Sequence, residues 1–202
     1  MRLWHNPASP FVRKVRIAAR EANLGARIEE INTPVSPVNP HVELAKRNPL
    51  VKIPALELDD GAVIYDSTVI CEYLDSISAG AKLTPAGAAR WDALRLQALC
   101  NGILEASVLC RYEGAIRPEQ YRWQGWIDGQ FTKIRNGLDV LEREVAAWGD
   151  AFHVGQISAA CVTGYLDFRF ASEPWRATRP KLAAWHEGIV KRVSVASTKP
   201  SA

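Results

Sequence analysis

The sequence has few of the residues that bind metals or form disulfides. Cysteine and histidine occur only four times each among 202 residues. The cysteines never form a Cys-x-x-Cys pair, and no two histidines have the close spacing of a helical zinc site; these residues are Cys71, Cys100, Cys110 and Cys161, and His5, His41, His153 and His186. This pattern predicts reduced thiols, as in the cytoplasm, and no metal site.

The chain also lacks long apolar runs and blocks of one charge. Its N-terminus has no stretch typical of a signal peptide, and no run approaches the roughly 18 apolar residues that span a bilayer. The net charge is only +3. Helical spacing scatters the densest basic group, Arg13, Lys14, Arg16 and Arg20, around one helix, which is typical of a solvated face. We therefore predict a cytoplasmic protein that binds neither membranes nor nucleic acid.

Short extended runs alternate with helical stretches over about the first 78 residues. Residues 1–4 are typical of a strand. Ser9-Pro10 begins a helix, with Ser9 as the N-cap and Pro10 at the first helical position, and Gly25 is expected to end it. Residues 26–32 favour a second strand, and residues 41–46 a short helix.

A β-hairpin is predicted next. Two extended runs, residues 55–58 and 62–65, flank an Asp59-Asp60-Gly61 turn. A third helix follows, capped by Asp66 or Ser67. The order β-α-β-α-β-β-α implies a small mixed sheet covered by helices.

The chain is nearly all helical beyond Ser78-Ala79-Gly80-Ala81, which has the composition of a linker. The strongest amphipathic stripe of the sequence alternates steps of four and three; its members are Ile127, Phe131, Ile134, Leu138, Leu141 and Val145. Ser158 is expected to cap a later helix, with Ile157 and Val162 as its hydrophobic staple. The predicted division is an α/β domain, residues 1–80, and an all-α domain, residues 86–202.

Three short segments together suggest a binding site for a small thiol peptide. Pro54 cannot donate to a sheet yet directly precedes a strand, so a cis Ile53-Pro54 bond is expected to turn the Ile53 backbone outward, where it can pair with an extended peptide. Asp66-Ser67 offers a carboxylate, a hydroxyl and free N–H groups, which suit an α-amino acid head. Ser9 offers a hydroxyl at a helix start. Taken singly, each segment is more often a helix cap or a turn proline.

The joint motif resembles the glutathione S-transferase family, and most of all its serine-type bacterial members. The matching segments are Ser9-Pro10-Phe11-Val12-Arg13-Lys14-Val15, Asn48-Pro49-Leu50-Val51-Lys52-Ile53-Pro54 and Asp66-Ser67, and the tail Ser197-Thr198-Lys199-Pro200 resembles a common family ending. The resemblance implies a thioredoxin-like N-terminal domain, an all-α C-terminal domain and a homodimer paired through a face around residues 91–109.

The resemblance also implies roles for single residues, with glutathione as co-substrate and no metal. Ser9 would hydrogen-bond the glutathione sulfur and favour the thiolate. Ile53, beside cis Pro54, would pair with the cysteinyl backbone, and Asp66 and Ser67 would hold the γ-glutamyl head.

The second substrate implied by the resemblance is a small hydrophobic electrophile, as in detoxification. Phe11, Val108 and Tyr112 would contact it. Two departures from the family pattern stand out. Cys161 lies three residues after Ser158, where the family usually has an acid, and Val51 stands where glycine is frequent, so the loop before Lys52 is expected to differ in shape.

Two other functions remain open at this point. One is a glutathione-binding protein with little or no activity, acting as ligand carrier or regulator, because a fold does not fix a function. The other is glutathione-dependent thiol exchange, which generally needs a cysteine at the position of Ser9.

Overall fold

The computed structural model describes residues 1–80 and 82–201. The chain divides into two compact units, one of Met1–Arg90 with Val193–Ala202 and the other of Trp91–Arg192. The tail thus belongs with the first unit, whereas the predicted boundaries at residues 80 and 86 place it in the helical domain. Those boundaries stay a prediction, and the predicted linker residue Ala81 lies outside the described residues.

The first unit is a small mixed sheet with helices. Its elements are β1 (Arg2–His5), α1 (Pro10–Glu21), β2 (Glu29–Asn32), α2 (Val42–Ala45), β3 (Ala55–Glu57), β4 (Val63–Ile64), α3 (Ser67–Ile77) and, from the tail, the helix Val193–Ala196. The strands lie in the order β2-β1-β3-β4, with β1 parallel to β2 and the other neighbours antiparallel. This confirms the predicted order of strands and helices over the first 77 residues.

The first helix begins where the sequence predicts and ends earlier. Ser9 is the N-cap, and Pro10 occupies the first helical position. The helix ends at Glu21, and Asn23 takes the left-handed conformation with φ of +57°. Asparagine tolerates this conformation better than most residues, so Gly25 is not needed as the terminator. Gly25 instead begins a short 3₁₀ turn.

The tail helix Val193–Ala196 packs against α1. Arg13 donates from its guanidinium to the carbonyl oxygen of Val195 at 3.3 Å, and Ser194 donates to the carboxylate of Glu21. Val195 itself is 1% exposed. These contacts join residues about 180 positions apart and hold the tail in the first unit.

The second unit consists of helices. These are α4 (Ala89–Ala115, which starts within the first unit), α5 (Gln124–Glu144), α6 (Val154–Arg169), α7 (Trp175–Thr178) and α8 (Pro180–Ile189), and Val193–Ala196 is numbered α9. Ile134, Leu138 and Leu141 of the predicted stripe are fully buried. A side chain at Gly137 would come within 2.5 Å of Ile103, so α4 and α5 are in close contact there.

The prediction that Ser158 caps a helix is wrong. Helix α6 begins four residues earlier, at Val154, with His153 as the N-cap; the His153 N–H donates to Oε1 of Gln156 at 3.2 Å. Ser158 is buried inside the helix and donates to the carbonyl oxygen of Val154 at 2.8 Å, a bond within its own helix. The predicted hydrophobic staple of Ile157 and Val162 depends on that helix start and is therefore also wrong. Position 161 is not part of a capping box.

Helix α4 is long and apolar enough to cross a bilayer by length and composition alone. Half of its apolar window is buried within the protein. The core helix of a globular protein has the same properties.

Candidate functional site

Three predicted segments lie at one end of the sheet. Trp4 of β1 pairs with Ala55 of β3 in an antiparallel register, so the end of β1 and the start of β3 share an edge. Ile64 of β4 pairs with Leu56, which brings the end of β4 to the same edge. Ser9 follows β1, Ile53-Pro54 precedes β3, and Asp66-Ser67 follows β4. The register therefore brings together the segments that carry the predicted site.

Ser9 is half-buried, and its hydroxyl oxygen acts as the cap of α1. Ser9 Oγ accepts a hydrogen bond from the Val12 N–H at 3.3 Å. Because the oxygen is used as an acceptor, its proton is free to donate to an anion at the helix start. The first turn of a helix adds a favourable field for such an anion.

Asn48 organises the loop before β3, a role the sequence did not indicate. Its side chain is 1% exposed; it donates to the Lys52 carbonyl oxygen at 2.8 Å and accepts from the Leu50 N–H at 3.0 Å. The Val51 N–H donates to the Asn48 carbonyl oxygen at 2.9 Å. Asparagine commonly bonds its own neighbouring backbone in this way.

Val51 adopts the conformation that glycine favours, with φ of +53°. The sequence predicts a differently shaped loop, because glycine is frequent at this position in the family, yet the backbone of Val51 has the conformation that a glycine would readily take. A β-branched residue in the left-handed region is strained. The hydrogen bonds of Asn48 hold the loop in place at that cost.

Ile53-Pro54 is a cis peptide, as predicted. Pro54 is buried and Ile53 is half-buried. Within residues 1–80 and 82–201, the Ile53 N–H and C=O form no hydrogen bond. An N–H and a C=O left open beside a sheet edge are the groups that pair with an added strand.

Asp66 caps α3 and leaves part of its carboxylate open. Its Oδ1 accepts from the Thr68 N–H at 2.9 Å, and the peptide before it, Tyr65-Asp66, is also cis. Ser67 holds the first helical position and is 1% exposed. The amides of the first helical turn have no acceptor within the helix, so the start of α3 offers both a carboxylate and amide donors.

The residues predicted for the second substrate belong to different units. Phe11 is in α1, and the Lys14 ammonium lies 5.7 Å from its ring centre. Val108 and Tyr112 are one turn apart on α4. All three side chains are half-buried. Burial raises the pKa of Tyr112, so its hydroxyl remains a donor at neutral pH.

A cavity of about 560 Å³ lies at the opposite end of the sheet. Four of its charged groups form two ion pairs, the Met1 ammonium with Asp59 at 2.7 Å and Arg2 with Glu57, and the other two, Arg27 and Glu29, have opposite charges. Because these charges are already neutralised, we do not place the ligand there. Among the described residues, no group of three His, Cys, Asp or Glu side chains is arranged to hold a metal ion.

Comparison with sequence families gives two matches. Residues 8–77 match the N-terminal domain of glutathione S-transferases, and residues 124–188 match the C-terminal domain. The GST-like protein YibF of Escherichia coli (strain K12), itself uncharacterised, is 33% identical over 99% of this chain and 98% of its own length.

Solved structures of one bacterium's protein are closely similar. A glutathione transferase family member from Pseudomonas fluorescens Pf-5, with bound glutathione, is 48% identical, with a TM-score of 0.97 over 100% of this chain and 99% of its own. A second structure from Pf-5, with bound S-(propanoic acid)-glutathione, is 47% identical, with a TM-score of 0.92 over 99% of each chain.

Proposed function

Since the chain belongs to the glutathione S-transferase family, we propose that its first unit binds glutathione and activates the thiol for attack on a small electrophile. The observation that carries this proposal is the open Ile53 backbone at the sheet end where α1 and α3 begin. Similar Pf-5 structures contain glutathione or a glutathione thioether, which supports the same ligand for this chain.

Ile53 pairs with the cysteinyl part of glutathione in this proposal. The Ile53 N–H and C=O bind the peptide backbone of the ligand as an added strand, next to Pro54. Two backbone bonds fix the direction of the ligand along the edge. The thiol end then points in a defined direction from the sheet.

Asp66 and Ser67 hold the γ-glutamyl head. The Asp66 carboxylate oxygen that does not cap the helix accepts from the ligand ammonium. The ligand carboxylate accepts hydrogen bonds from the backbone N–H groups at the start of α3, where the helix field favours an anion. The two opposite charges of an α-amino acid are thereby matched at one helix end.

Ser9 is the catalytic residue of the proposal. Its hydroxyl donates to the glutathione sulfur while its oxygen continues to cap α1. A free thiol has a pKa near 8.5, and lowering it by about two units needs roughly 3 kcal/mol. One hydrogen bond to an anion and a helix N-terminus supply energies of this order. The sulfur then forms the new bond to an electrophilic carbon.

In the helical unit the acceptor contacts Val108 and Tyr112, and the role of Phe11 in the first unit stays the one that the family resemblance implies. The aromatic and aliphatic side chains suit an apolar body. For assembly and location we propose a homodimer in the cytoplasm, with the face around Trp91 and Leu109, which are 70% and 41% exposed, at the interface. Sedimentation at micromolar concentration should give a dimer, and a monomer alone would remove this part of the proposal.

A second candidate is a glutathione carrier with little turnover. The observation that favours it is the Ser9 hydroxyl, whose bond to the Val12 N–H is already explained by helix capping. Thiol exchange has less support, because all four cysteines are buried and none stands at position 9.

Replacement of Ser9 separates transfer from binding. Ser9→Ala should lower kcat/KM for 1-chloro-2,4-dinitrobenzene about 100-fold, as loss of one donor to a developing anion does. Glutathione affinity by calorimetry should change less than threefold. The loss of the cap should cost about 1 kcal/mol of unfolding free energy, so assays belong well below the midpoint of thermal unfolding.

Ser9→Thr is the matched control, since it keeps a hydroxyl and a cap. It should retain most of the turnover. Wild-type protein that binds glutathione but converts no member of an electrophile panel would favour the carrier. Protein that does not bind glutathione would contradict both candidates.

A further inference from the structure

Four donor side chains in the helical unit point to a feature of the acceptor. We propose that the electrophile carries a carboxylate next to its apolar body, and that Arg111 and Arg169 bind this carboxylate beside Tyr112 and Tyr165. The inference rests on the proposed transfer of glutathione to an electrophile, and it adds the chemical class of the second substrate.

Five of the ten arginines in the helical unit are paired with carboxylates. The pairs are Arg95 with Glu144 at 2.8 Å, Arg117 with Glu113 at 2.7 Å, Arg135 with Glu173 at 2.8 Å, Arg176 with Asp167 at 2.7 Å and Arg179 with Asp139 at 2.7 Å. Arg111 and Arg169 form no ion pair with any residue in the described part of the chain. Their positive charges are therefore available to an anion.

Arg169 is held in place by an aromatic ring and by a hydrogen bond to Tyr165 rather than by a carboxylate. The guanidinium carbon lies 3.9 Å from the Phe168 ring centre, and the buried Nε has no acceptor. Stacking on an aromatic ring restricts the side chain. The guanidinium can still donate two N–H groups to the oxygens of a carboxylate that lies in its plane. An arginine that is fixed in this way and has no carboxylate partner is preorganised for an anion.

Both guanidiniums act on the hydroxyl of Tyr165, whose residue is 4% exposed. Burial raises the pKa of Tyr165 most; Arg169 and Arg111 lower it, and Tyr112 raises it, with a net increase. The two arginines and two tyrosines therefore lie within electrostatic reach of one hydroxyl. No carboxylate is among the groups that shift the Tyr165 pKa.

The donor set matches a carboxylate. Burial keeps Tyr112 and Tyr165 protonated, so both hydroxyls donate, as both guanidiniums do. Three donors that act on the hydroxyl of a fourth, with two positive charges and no carboxylate among the groups that shift its pKa, favour an anion with several acceptor sites. Val108 lies one turn before Tyr112 on α4, which puts an apolar side chain beside the Tyr112 side chain.

The test compares two electrophiles that share one ring and differ in charge and in one methyl group. The pair is 4-chloro-3,5-dinitrobenzoate and its methyl ester. In both, the glutathione sulfur bonds to the ring carbon and chloride leaves with the bonding electrons. At saturating glutathione, kcat/KM divided by the uncatalysed rate constant should be about tenfold higher for the acid. This preference should shrink as NaCl is raised.

Arginine variants test whether Arg169 and Arg111 cause the preference for the acid over the ester. Arg169→Gln and Arg111→Gln should each lower the acid-to-ester ratio about tenfold, and Arg169→Lys should keep part of it. Arg143→Gln is the matched control, because Arg143 is an exposed helical arginine that also has no carboxylate partner among the described residues. It should leave the ratio unchanged. Calorimetry with the two thioether products repeats the comparison without turnover.

The outcomes distinguish this inference from the proposed function. Equal corrected rates for acid and ester, unaffected by either glutamine variant, would overturn the carboxylate site and leave glutathione transfer standing. Tighter binding of the acid thioether that is lost in Arg169→Gln, without turnover of either electrophile, would support the site and contradict the transferase. Failure to bind glutathione would contradict both.

Discussion

Asp66 and Asp167, one in each compact unit, use their carboxylates in different ways. Asp66 caps α3 with one oxygen, which accepts from Thr68 at 2.9 Å, and forms no ion pair with a described residue. Asp167 accepts from the Trp175 indole at 3.0 Å and pairs with Arg176 at 2.7 Å and His186 at 3.3 Å.

This difference indicates a structural role for Asp167 and a binding role for Asp66. The bonds of Asp167 join α6, α7 and α8, and His186 continues the network to Thr163 at 2.7 Å. The hydrogen-bonding capacity of the Asp167 carboxylate is used within the helical unit, so no acceptor site remains for a ligand. Asp66 keeps acceptor capacity at the edge of the sheet. The same amino acid is thus structural where its bonds are complete and a candidate for binding where they are not.

Exchange of each aspartate for asparagine gives the largest expected contrast. Asp167→Asn should lower the unfolding free energy by about 2 kcal/mol, because three charged or polar donors lose their carboxylate. Glutathione affinity should change less than twofold. Asp66→Asn should weaken glutathione about tenfold and cost at most about 0.5 kcal/mol of stability, since asparagine is also a good cap. Urea unfolding and calorimetry measure both; equal losses of affinity in the two variants would break the comparison.

Acid titration sharpens the result for Asp167. Burial raises its pKa, but the bonds from His186, Arg176 and Trp175 lower it more, so the folded pKa is below the ordinary value. A carboxyl with a lowered folded pKa stabilises the fold above its unfolded pKa of about 4 and loses that contribution as pH falls further. Urea unfolding between pH 7 and pH 3 should show a smaller loss of stability for Asp167→Asn than for wild type.

The first unit was largely predictable because its signals are local. Ser9-Pro10 marks a helix start, Ile53-Pro54 interrupts a strand, and Asp59-Asp60-Gly61 marks a hairpin; each depends on a few adjacent residues. The resemblance of these segments to one family then linked them. Their convergence at one sheet end follows from the strand register, which the sequence fixes only through tertiary pairing.

The features that the sequence does not predict depend on residues far apart in the chain or on where a long helix begins. Arg111 and Arg169 lie on different helices, and neither has a local pattern that shows the other. The contact of Val195 with Arg13 spans almost the whole chain. Serine is a common cap, so the sequence predicts a cap at Ser158, whereas His153 and Gln156 are a weaker signal for the true start of α6.

Replacement of Val51 is expected to have the smallest effect on stability, and it tests whether the backbone of the loop before Ile53 is strained. Val51→Gly should raise the unfolding free energy by about 1 kcal/mol, because relief of the backbone strain of a β-branched residue at φ of +53° exceeds the entropy cost of glycine. Val38→Gly is the control: Val38 is 74% exposed with an ordinary negative φ, so glycine there should destabilise the fold by about 0.5 kcal/mol.

Opposite signs for the two valines would show that the loop before Ile53 carries backbone strain in the folded protein, whereas equal losses would remove that strain from the account. Glutathione affinity should stay within twofold in Val51→Gly, because the hydrogen bonds of Asn48 to Lys52 and Leu50 remain to position the loop. A larger loss of affinity would mean that the valine side chain, and not Asn48, holds the Ile53 backbone open for the ligand.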